Sequence, residues 1–400
     1  MRGNALLPVT AQATVRIQAA TELTRGLIRQ RTSTARRAER RHQDAYYRDL
    51  WVDAAAHVGA PARALDDGAL EITLGALVVR VRGTHCSIDN REVLQRAGDK
   101  VLVHRLLGEA NLPAPEHATF TLAEFGRARR FLADAPGDCV IKPGQDSAAG
   151  SGVTTLVRSP RDLVAATAVA AGVGARSSRV AKAAGRVRRL TAMYGQLGAV
   201  PLLIERQVAG GNYRLLYLDG ELVDAIRRGV PSVVGDGRSN VGDLVERLNA
   251  HRLKAGGVIG QSLVRPDLDC ERTLADQGLT FASVPAAGVE VRIKTTINQA
   301  AADTNHPARH ELCASIVEQA ARAAQIVGVR WAGVDVITPD PTVALARSGG
   351  RILEVNTTPG LAMHHHGRPG QVEPAKVLLE RLLSSAPSAS SAPVRVEGAR

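Results

Sequence analysis

The chain has 400 residues, of which 44% are hydrophobic and 22% charged, so it can bury a sizeable core and is not a largely disordered protein. Its 51 Lys and Arg residues outnumber its 39 Asp and Glu residues, which gives a formal net charge of +12. Because only 3% of the residues are aromatic, we do not expect nucleic acid as a partner, and the positive charge suits anionic small molecules.

The cysteines indicate a reducing compartment. Cys86, Cys139, Cys270 and Cys313 lie far apart and form no CxxC pair, so we expect free thiols. The first residues lack the apolar core of a signal peptide, and no stretch reaches the ~18 apolar residues of a membrane-spanning helix. We therefore expect a cytoplasmic protein without a membrane partner.

Residues 1–45 are predicted to form a basic arm. Between Arg25 and Arg41 there are seven arginines and a single acid, Glu39. This pattern is typical of a solvated helix or a mobile arm. Docking of the arm to an acidic macromolecule or RNA is the alternative.

Residues 46–96 are predicted to form a short region with a helix near residues 46–58. The stretch LEITLGALVVRVR alternates like two strands that turn at Gly75. A helix then follows from Lys100 to Ala110, with Asp99 as its N-cap. Lys100 is therefore expected in the first turn of a helix.

Residues 97–209 are predicted to form one α+β module. Its further elements are a helix at 122–132 and strands at 139–142, 153–157 and 201–205. Residues 172–200 carry six cations and no acid, and we expect a helix or an excursion from the module there.

Residues 210–383 are predicted to form a second module. Its strands lie at 213–217 and 222–226, joined by an Asp-Gly turn, and at 331–337 and 351–356, with helices at 311–327 and 373–383. The tail, residues 384–400, is rich in Ser, Ala and Pro and is predicted to be disordered.

Two neighbouring strands of the second module carry a candidate metal site. Glu354 and Asn356 point to the same face of their strand, and Asp335 alternates with valines in the preceding one. If the strands pair as a hairpin, two carboxylates and an amide oxygen converge, which is a donor set suited to Mg²⁺. A solvated polar sheet face is the alternative. We expect neither carboxylate to lie in the core.

Lysine is rare, with six lysines against forty-five arginines. The segment CVIKPGQDSAAGSG places Lys142 at the end of a buried strand, before a loop whose N–H groups can approach a phosphate chain. This is not a Walker A loop, in which the lysine follows the glycines. A flexible surface hairpin would explain the glycines but not a lysine among apolar residues.

The order of these features resembles the ATP-grasp superfamily from Ala97 to Leu383. The stretches that carry the resemblance are GDKVLVHRLLGEANLPAP, ERQVAGGNYRLLYLDGELVDAIRRGVPSVVGDGRSNVGDL, QGLTFASVPAAGVEVRIKTTIN, WAGVDV and ILEVNTTPGLAMH. They are most similar to the ATP-grasp region of cyanophycin synthetases and bifunctional glutathione synthetases. The resemblance implies an α/β (α+β) fold, with nucleotide between a small lid module (97–209) and a central, mostly antiparallel sheet domain (210–383). Residues 46–96 would be the pre-ATP region.

The resemblance also implies roles for individual residues. The nucleotide-binding residues it implies are Lys100, Lys142, Ser147, Gly150, Ser151, Gly152, Glu205, Arg206, Gln207, Val208 and Asn212. The implied metal ligands are Asp335, Glu354 and Asn356, and the implied catalytic residues are Arg214, Arg228, Lys294 and Asn298. Asn212 stands where family members carry an acid that binds the ribose. His364, the first of three consecutive histidines, would line the substrate pocket, and a transition-metal site in this run is not expected.

The activity implied is ATP-dependent formation of an amide bond between a carboxylate and an amine through an acyl phosphate, releasing ADP and phosphate. Its cofactors would be ATP and two Mg²⁺ ions, with Mn²⁺ able to substitute, and its substrates amino acids or peptides. The alternative is an amino-acid ligase that modifies a macromolecular partner. A homodimer is one option for the assembly. The stretch QAAADTNH replaces a glycine-rich loop of cyanophycin synthetases, so we expect a different substrate pocket and no cyanophycin synthesis.

Overall fold

The computed structural model describes residues 6–32, 34–145, 150–178, 189–254, 263–297, 304–364, 372–385 and 394–395. Within these ranges no helix is both long enough and apolar enough to cross a membrane. The described chain forms an N-terminal region, a module built on a small sheet and a domain built on a larger antiparallel sheet. The predicted α+β class is confirmed.

The N-terminal region packs a long helix on a small sheet. Its elements are α1 (Leu6–Thr32), α2 (Thr34–His57), β1 (Ala62–Ala64), β2 (Leu70–Leu74), β3 (Leu77–Arg82) and β4 (His85–Cys86). The predicted hairpin of β2 and β3 is confirmed, and Gly75 in its turn has a φ of +59°, which residues with a side chain rarely adopt. Trp51 of α2 is buried against this sheet and donates its indole N–H to the Gly83 carbonyl over 2.9 Å.

The elements of the next part of the chain are α3 (Arg91–Ala97), α4 (Lys100–Glu109), β5 (His117–Phe120), a 3₁₀ turn (Leu122–Glu124), α5 (Phe125–Asp134), β6 (Cys139–Pro143), β7 (Thr154–Val157), α6 (Pro160–Ser177), α7 (Arg189–Gln196) and β8 (Leu202–Arg206). Helix α4 differs from its predicted place in the lid, because Val103 and Leu107 are buried in the core of the central domain. The lid is the module built on strands β5 to β8. The described strands pair in the order β5-β8-β6-β7, all antiparallel. Apolar side chains of β6 and β8, such as Ile141 and Ile204, pack with α6 into a fully buried core.

The central domain holds the larger sheet. Its elements are β9 (Gly211–Leu218), β10 (Glu221–Arg228), β11 (Ser232–Val234), α8 (Val241–Lys254), α9 (Leu268–Asp276), β12 (Glu290–Arg292), β13 (His306–Pro307), α10 (Ala314–Val327), β14 (Trp331–Thr338), α11 (Leu345–Ser348), β15 (Arg351–Asn356), a 3₁₀ turn (Leu361–Met363) and α12 (Pro374–Ser385). The described strands of the sheet pair in the order β13-β10-β9-β14-β15.

The strand period of two gives this sheet two different faces. Leu215 of β9 and Val334 of β14 pack with α10 in one core. The neighbouring positions, Arg214 and Asp335, therefore point to the opposite face. On that face Leu216 and Trp331 join the core of the N-terminal region. The polar residues of the candidate site therefore lie on the same sheet face as Leu216 and Trp331. The N-terminal region covers the end of this face that carries Leu216 and Trp331.

The expectation of a solvated N-terminal arm is wrong for the described part of α1. Val15, Ala19 and Leu23 are fully buried in the lid core, and their four-residue spacing puts them on one face of the helix. Gly172 of α6 allows the close approach, since a Cβ there would lie only 3.0 Å from the backbone nitrogen of Leu23. Arg25, Arg29 and Arg31 therefore belong to a helix that packs on the lid, whereas the other four arginines between residues 25 and 41 lie on α2. The packing of α1 weakens the hypothesis of a free docking arm.

The tail also differs from its prediction in part. Helix α12 ends at Ser385, and β16 (Val394–Arg395) pairs with β3 in parallel. The remaining tail residues lie outside the described ranges.

Replacing Leu23 by alanine should lower the free energy of unfolding by about 2–5 kcal/mol, because it opens a cavity in the lid core. The measurement is urea denaturation followed by circular dichroism. Ile17→Ala is the matched control, since Ile17 lies on the same helix and is 69% exposed, and it should change the free energy by less than about 0.5 kcal/mol. Equal effects of the two substitutions would show that α1 does not pack on the lid.

Candidate active site

The lid and the central sheet meet at the start of α4. Asp99 caps this helix as predicted, because its carboxylate accepts the N–H of Leu102 over 3.0 Å. The Gln145 amide donates to the same carboxylate over 2.6 Å, and the Lys100 N–H donates to the Gly144 carbonyl over 2.9 Å. The end of β6 is thereby fastened to the first turn of α4, and Lys100 is placed beside the strand that carries Lys142.

Lys100 also pairs with a carboxylate of the central sheet, in whose core its helix α4 is buried through Val103 and Leu107. Its ammonium lies 3.3 Å from the carboxylate of Glu354 on β15 of the central sheet. Burial raises the pKa of the Glu354 carboxyl, but Lys100 and Lys142 outweigh that effect and hold the pKa below its usual range. Glu354 is therefore ionised and faces these two cations from the central sheet.

Lys142 forms a buried ion pair with Glu205. The two residues lie on the adjacent strands β6 and β8, their charged groups are 2.7 Å apart, and both side chains are less than 10% exposed. Both residues are predicted to bind the nucleotide, which requires them to lie at one site, and the structure brings their side chains together. A lysine in this position can exchange its carboxylate partner for a phosphate without leaving the strand.

His104 is a member of this cluster that the sequence analysis missed. It is 2% exposed, its Nε2 lies 3.7 Å from Glu205, and its ring packs edge-on against His117 at 4.5 Å between centroids. Burial, followed by the charge of Lys142, lowers the pKa of His104 to about 2, so the ring is neutral. The sequence feature that could have revealed His104 is its four-residue spacing from Lys100, which puts both residues on one face of α4.

The central sheet contributes a buried charge cluster. Arg214 lies opposite Asp335 in the β9–β14 register, and its guanidinium donates two hydrogen bonds to that carboxylate. Arg228 of β10 approaches the same carboxylate to 2.8 Å and donates to the Asn212 side-chain oxygen over 2.6 and 2.9 Å. Asn212, predicted to bind ribose, is therefore engaged by an arginine in this structure.

The charges of this cluster shift one another's protonation. Burial raises the pKa of the Asp335 carboxyl, but the two arginines outweigh burial and hold the pKa below its usual range. Burial lowers the pKa of Arg228 to about 10, although Asp335 acts in the opposite direction. Glu354, which pairs with Asp335 in the β14–β15 register, adds a second carboxylate, so two carboxylates balance the two guanidinium charges on this sheet face.

The predicted hairpin of β14 and β15 is confirmed. Asp335 pairs with Glu354 in the register, and Gly333 pairs with Asn356. The Asn356 amide nitrogen donates to the Gly333 carbonyl over 3.2 Å, so its oxygen is the atom left to face a cation. Glu354 and Asn356 fit a Mg²⁺ ion in donor type and in partial exposure.

Asp335 fits the metal less well, because its oxygens already accept from Arg214 and Arg228. Within the described residues, no three side chains among His, Cys, Asp and Glu are grouped as a metal site. A Mg²⁺ ion here would depend on Glu354, Asn356 and oxygens supplied by a ligand. The set of three metal ligands stays a prediction. In the structure, Asp335 binds the guanidinium groups of Arg214 and Arg228.

His364 lies at the edge of this cluster. It is 1% exposed, and its Nδ1 is 2.7 Å from the Asp224 carboxylate, a partner that the sequence analysis missed. Burial lowers the pKa of His364 despite Asp224, and the charges of Arg214 and Arg228 lower it further. Its Nε2 has no hydrogen-bond partner within the described part of the chain. His365 and His366 lie outside that part.

The other predicted residues are placed as follows. The Arg206 and Gln207 N–H groups donate to the Glu116 and Asp138 carbonyls, so both of these N–H groups are engaged within the lid. Gly150 and Gly152 have φ of +67° and +79° on either side of Ser151, as expected of a tight loop. Ser147 and Asn298 lie outside the described residues.

Lys294 is not brought to the cluster. Its side chain is 2% exposed, and its ammonium is paired with Asp267, the N-cap of α9. The expectation that Lys294 lies in the site is therefore not met in this conformation, because a carboxylate on the lid-facing helix holds it.

Comparison with known proteins supports the resemblance. No family model matches the chain. It is 29% identical over 276 residues to the cyanophycin synthetase of Nostoc sp., a match that covers 68% of this chain and 27% of the relative. It is 26% identical over 301 residues to the glutathione biosynthesis bifunctional protein GshAB of Streptococcus thermophilus, with coverage of 74% and 37%. The chain thus spans about a third of the length of these relatives.

Solved structures are similar at lower levels of identity. A bifunctional glutathione synthetase from Pasteurella multocida matches with a TM-score of 0.47 and 21% identity over 81% of this chain and 41% of that one. The ATP-grasp ligase PsnB with a minimal precursor matches with a TM-score of 0.36 and 18% identity over 72% and 61%. The predicted similarity to cyanophycin synthetases and bifunctional glutathione synthetases is confirmed by the curated relatives.

Replacing Asp335 by asparagine should destabilise the fold by about 3–5 kcal/mol, because two buried guanidinium groups lose their counter-charge. This corrects the expectation that the fold does not depend on this carboxylate. The measurement is urea denaturation at pH 7, with Asp340→Asn, an exposed residue just after β14, as the control. A variant as stable as the control would contradict the cluster.

The stability gap between wild type and Asp335→Asn should narrow on acidification. The pKa of Asp335 is lowered in the fold, so its contribution is present above the usual carboxyl pKa and is lost as the pH falls through the lowered value.

Proposed function

We propose that the chain is an ATP-dependent carboxylate–amine ligase that forms an amide bond through an acyl phosphate. The observation that supports it most is the convergence of two lysines and two central-sheet arginines on three carboxylates where the modules meet. The cations outnumber the carboxylates there, so the site favours a polyanion such as a triphosphate. The similarity to curated synthetases supports the same reaction class.

Phosphoryl transfer needs charge neutralisation and positioning rather than a protein nucleophile. Lys100 and Lys142 reach the site from α4 and β6, and each is held in place by a carboxylate, Glu354 and Glu205 respectively. The phosphates of ATP would take over these ammonium groups, and the Gly150–Gly152 loop would lie over them. The nucleotide base would lie along residues 205–208.

A magnesium ion would be held by Glu354 and Asn356, with phosphate oxygens completing its shell. Such an ion supplies neutralisation of the phosphate charge. Two ions, as well as replacement by Mn²⁺, belong to the proposal by resemblance alone.

The reaction balances without a protein nucleophile. A carboxylate oxygen of the acid substrate attacks the γ-phosphorus, the bond to the β-phosphate oxygen breaks, and ADP leaves. The nitrogen of the amine substrate then attacks the acyl carbon, phosphate leaves with the bridging oxygen, and the nitrogen gives up a proton. Arg214 and Arg228, fixed by Asp335, would face the transferred phosphoryl group and stabilise its charge.

The substrates we propose are an amino acid or small peptide as acid and another amino compound as amine. An acyl phosphate hydrolyses if water reaches it, so the lid must close over the site during the reaction.

The nucleotide product should be ADP rather than AMP. We expect this because four cations and the magnesium ligands are arranged for a γ-phosphate transfer. A screen of amino-acid pairs, followed by nucleotide chromatography and mass spectrometry of the products, measures it. Formation of AMP and pyrophosphate as the main products would overturn the mechanism.

Replacing Glu354 by glutamine should lower kcat at least ~10²-fold, because the magnesium ion and the developing phosphoryl charge lose a carboxylate. The measurement is ADP release with the substrate pair found in the screen. Glu92→Gln is the matched control, since the side chain of Glu92 is 80% exposed on α3, and its kcat should equal that of wild type. Turnover of Glu354→Gln near the wild-type rate would show that the metal site is elsewhere.

A further inference from the structure

Asp269 of α9 links two segments that are far apart in the sequence. It is 1% exposed. Its Oδ1 accepts the N–H and the hydroxyl of Thr155 over 2.9 and 2.6 Å. Its Oδ2 accepts the hydroxyl and the N–H of Thr296 over 2.9 and 3.3 Å. One buried carboxylate therefore bridges strand β7 of the lid and the segment 294–297.

The chemistry of this bridge is specific to a carboxylate. Each oxygen of the Asp269 carboxylate accepts two hydrogen bonds, and all four donor groups are uncharged. An asparagine has one oxygen and one NH₂ group, so the amide nitrogen would meet an N–H donor at Thr155 or at Thr296. Burying an ionised carboxylate costs free energy unless all of its hydrogen bonds are formed. The positions of Thr155 and Thr296 are therefore linked through the carboxylate that binds both.

Helix α9 holds each segment by further contacts. On the lid side, Arg272 donates to the carbonyls of Thr155 and Leu156. On the other side, the Thr273 hydroxyl accepts the N–H of Thr295 over 3.1 Å. The helix is thus attached to both segments, but only Asp269, among the described contacts, binds both with one side chain.

The two linked segments carry predicted site residues. Strand β7 begins at Thr154, directly after the Gly150–Gly152 loop that would cover the triphosphate. Thr296 lies two residues from Lys294, whose ammonium is paired with Asp267 at the start of the same helix. A movement of the lid strand would therefore be transmitted through α9 to the segment of Lys294.

We propose that Asp269 is a positioning residue that makes the phosphate-covering loop and the Lys294 segment move as one unit. Nucleotide binding at the lid then orders the segment that reaches toward the acyl substrate. This inference rests on the proposed function, because it assumes that the lid binds a nucleotide.

Hydrogen exchange read by mass spectrometry tests this coupling, with Mg²⁺ and a non-hydrolysable ATP analogue as the probe. In the full-length wild-type chain, the probe should slow exchange at least about 5-fold both at residues 150–157 and at residues 290–297. In Asp269→Asn, the slowing at 150–157 should persist and that at 290–297 should disappear. Asp276→Asn is the control, because it removes an ion pair of α9 with Arg158 on the lid but no contact with 294–297.

The outcomes separate the two proposals. No binding of the analogue to wild type would overturn the proposed function. Binding with protection at 150–157 only, or an Asp269→Asn variant that still transmits protection to 290–297, would overturn the coupling. Should Asp269→Asn lose its cooperative melting transition, Thr296→Val replaces it. That variant leaves the Thr155 bonds intact, and it should also reduce the slowing at 290–297 about 5-fold.

Discussion

Asp335 lies between the guanidinium groups of Arg214 and Arg228, and each of these three residues is 6% exposed. Two like charges this deep repel each other strongly, because the surroundings screen them poorly. The carboxylate between them makes the arrangement tolerable, and the β9–β14 register puts it there by pairing Asp335 with Arg214. The central sheet therefore presents two cations whose positions are fixed by the fold, and the rest of the site is assembled against them.

The two lysines are cations of a different kind. Lys100 and Lys142 are compact ammonium groups on flexible stems, and each pairs with a carboxylate, Glu354 and Glu205 respectively. The arginines are planar, and Asp335 holds Arg214 with two hydrogen bonds. The site thus combines rigid charges on the sheet with adjustable charges on α4 and β6. Such a division suits a ligand whose charge moves during the reaction, since the rigid partners need no reorganisation as charge develops.

Local signals in the sequence predicted much of this arrangement, and long-range ones were missed. The Asp99 cap and the β14–β15 hairpin follow from spacing within a few residues, and both are confirmed. The burial of α1 was missed because the arginines from Arg25 onwards decided the interpretation of the whole N-terminal stretch, although Val15, Ala19 and Leu23 already had a helical spacing. Asp269 was not predictable, since its partner Thr155 is 114 residues away and nothing local marks it.

The ion pair of Lys100 and Glu354 has a further consequence for ligand entry. It ties α4 to β15, and these two elements share one core, in which Val103 of α4 is buried with Val355 of β15. A triphosphate with Mg²⁺ would separate these two side chains and give each a new partner of opposite charge, a phosphate for Lys100 and the metal for Glu354. One attraction would be exchanged for two, and because the side chains of Lys100 and Glu354 are only 13% and 28% exposed, solvent screens these attractions less than at the surface. Lys100 therefore stays with the central sheet, whereas Lys142 on β6 would follow any movement of the small sheet.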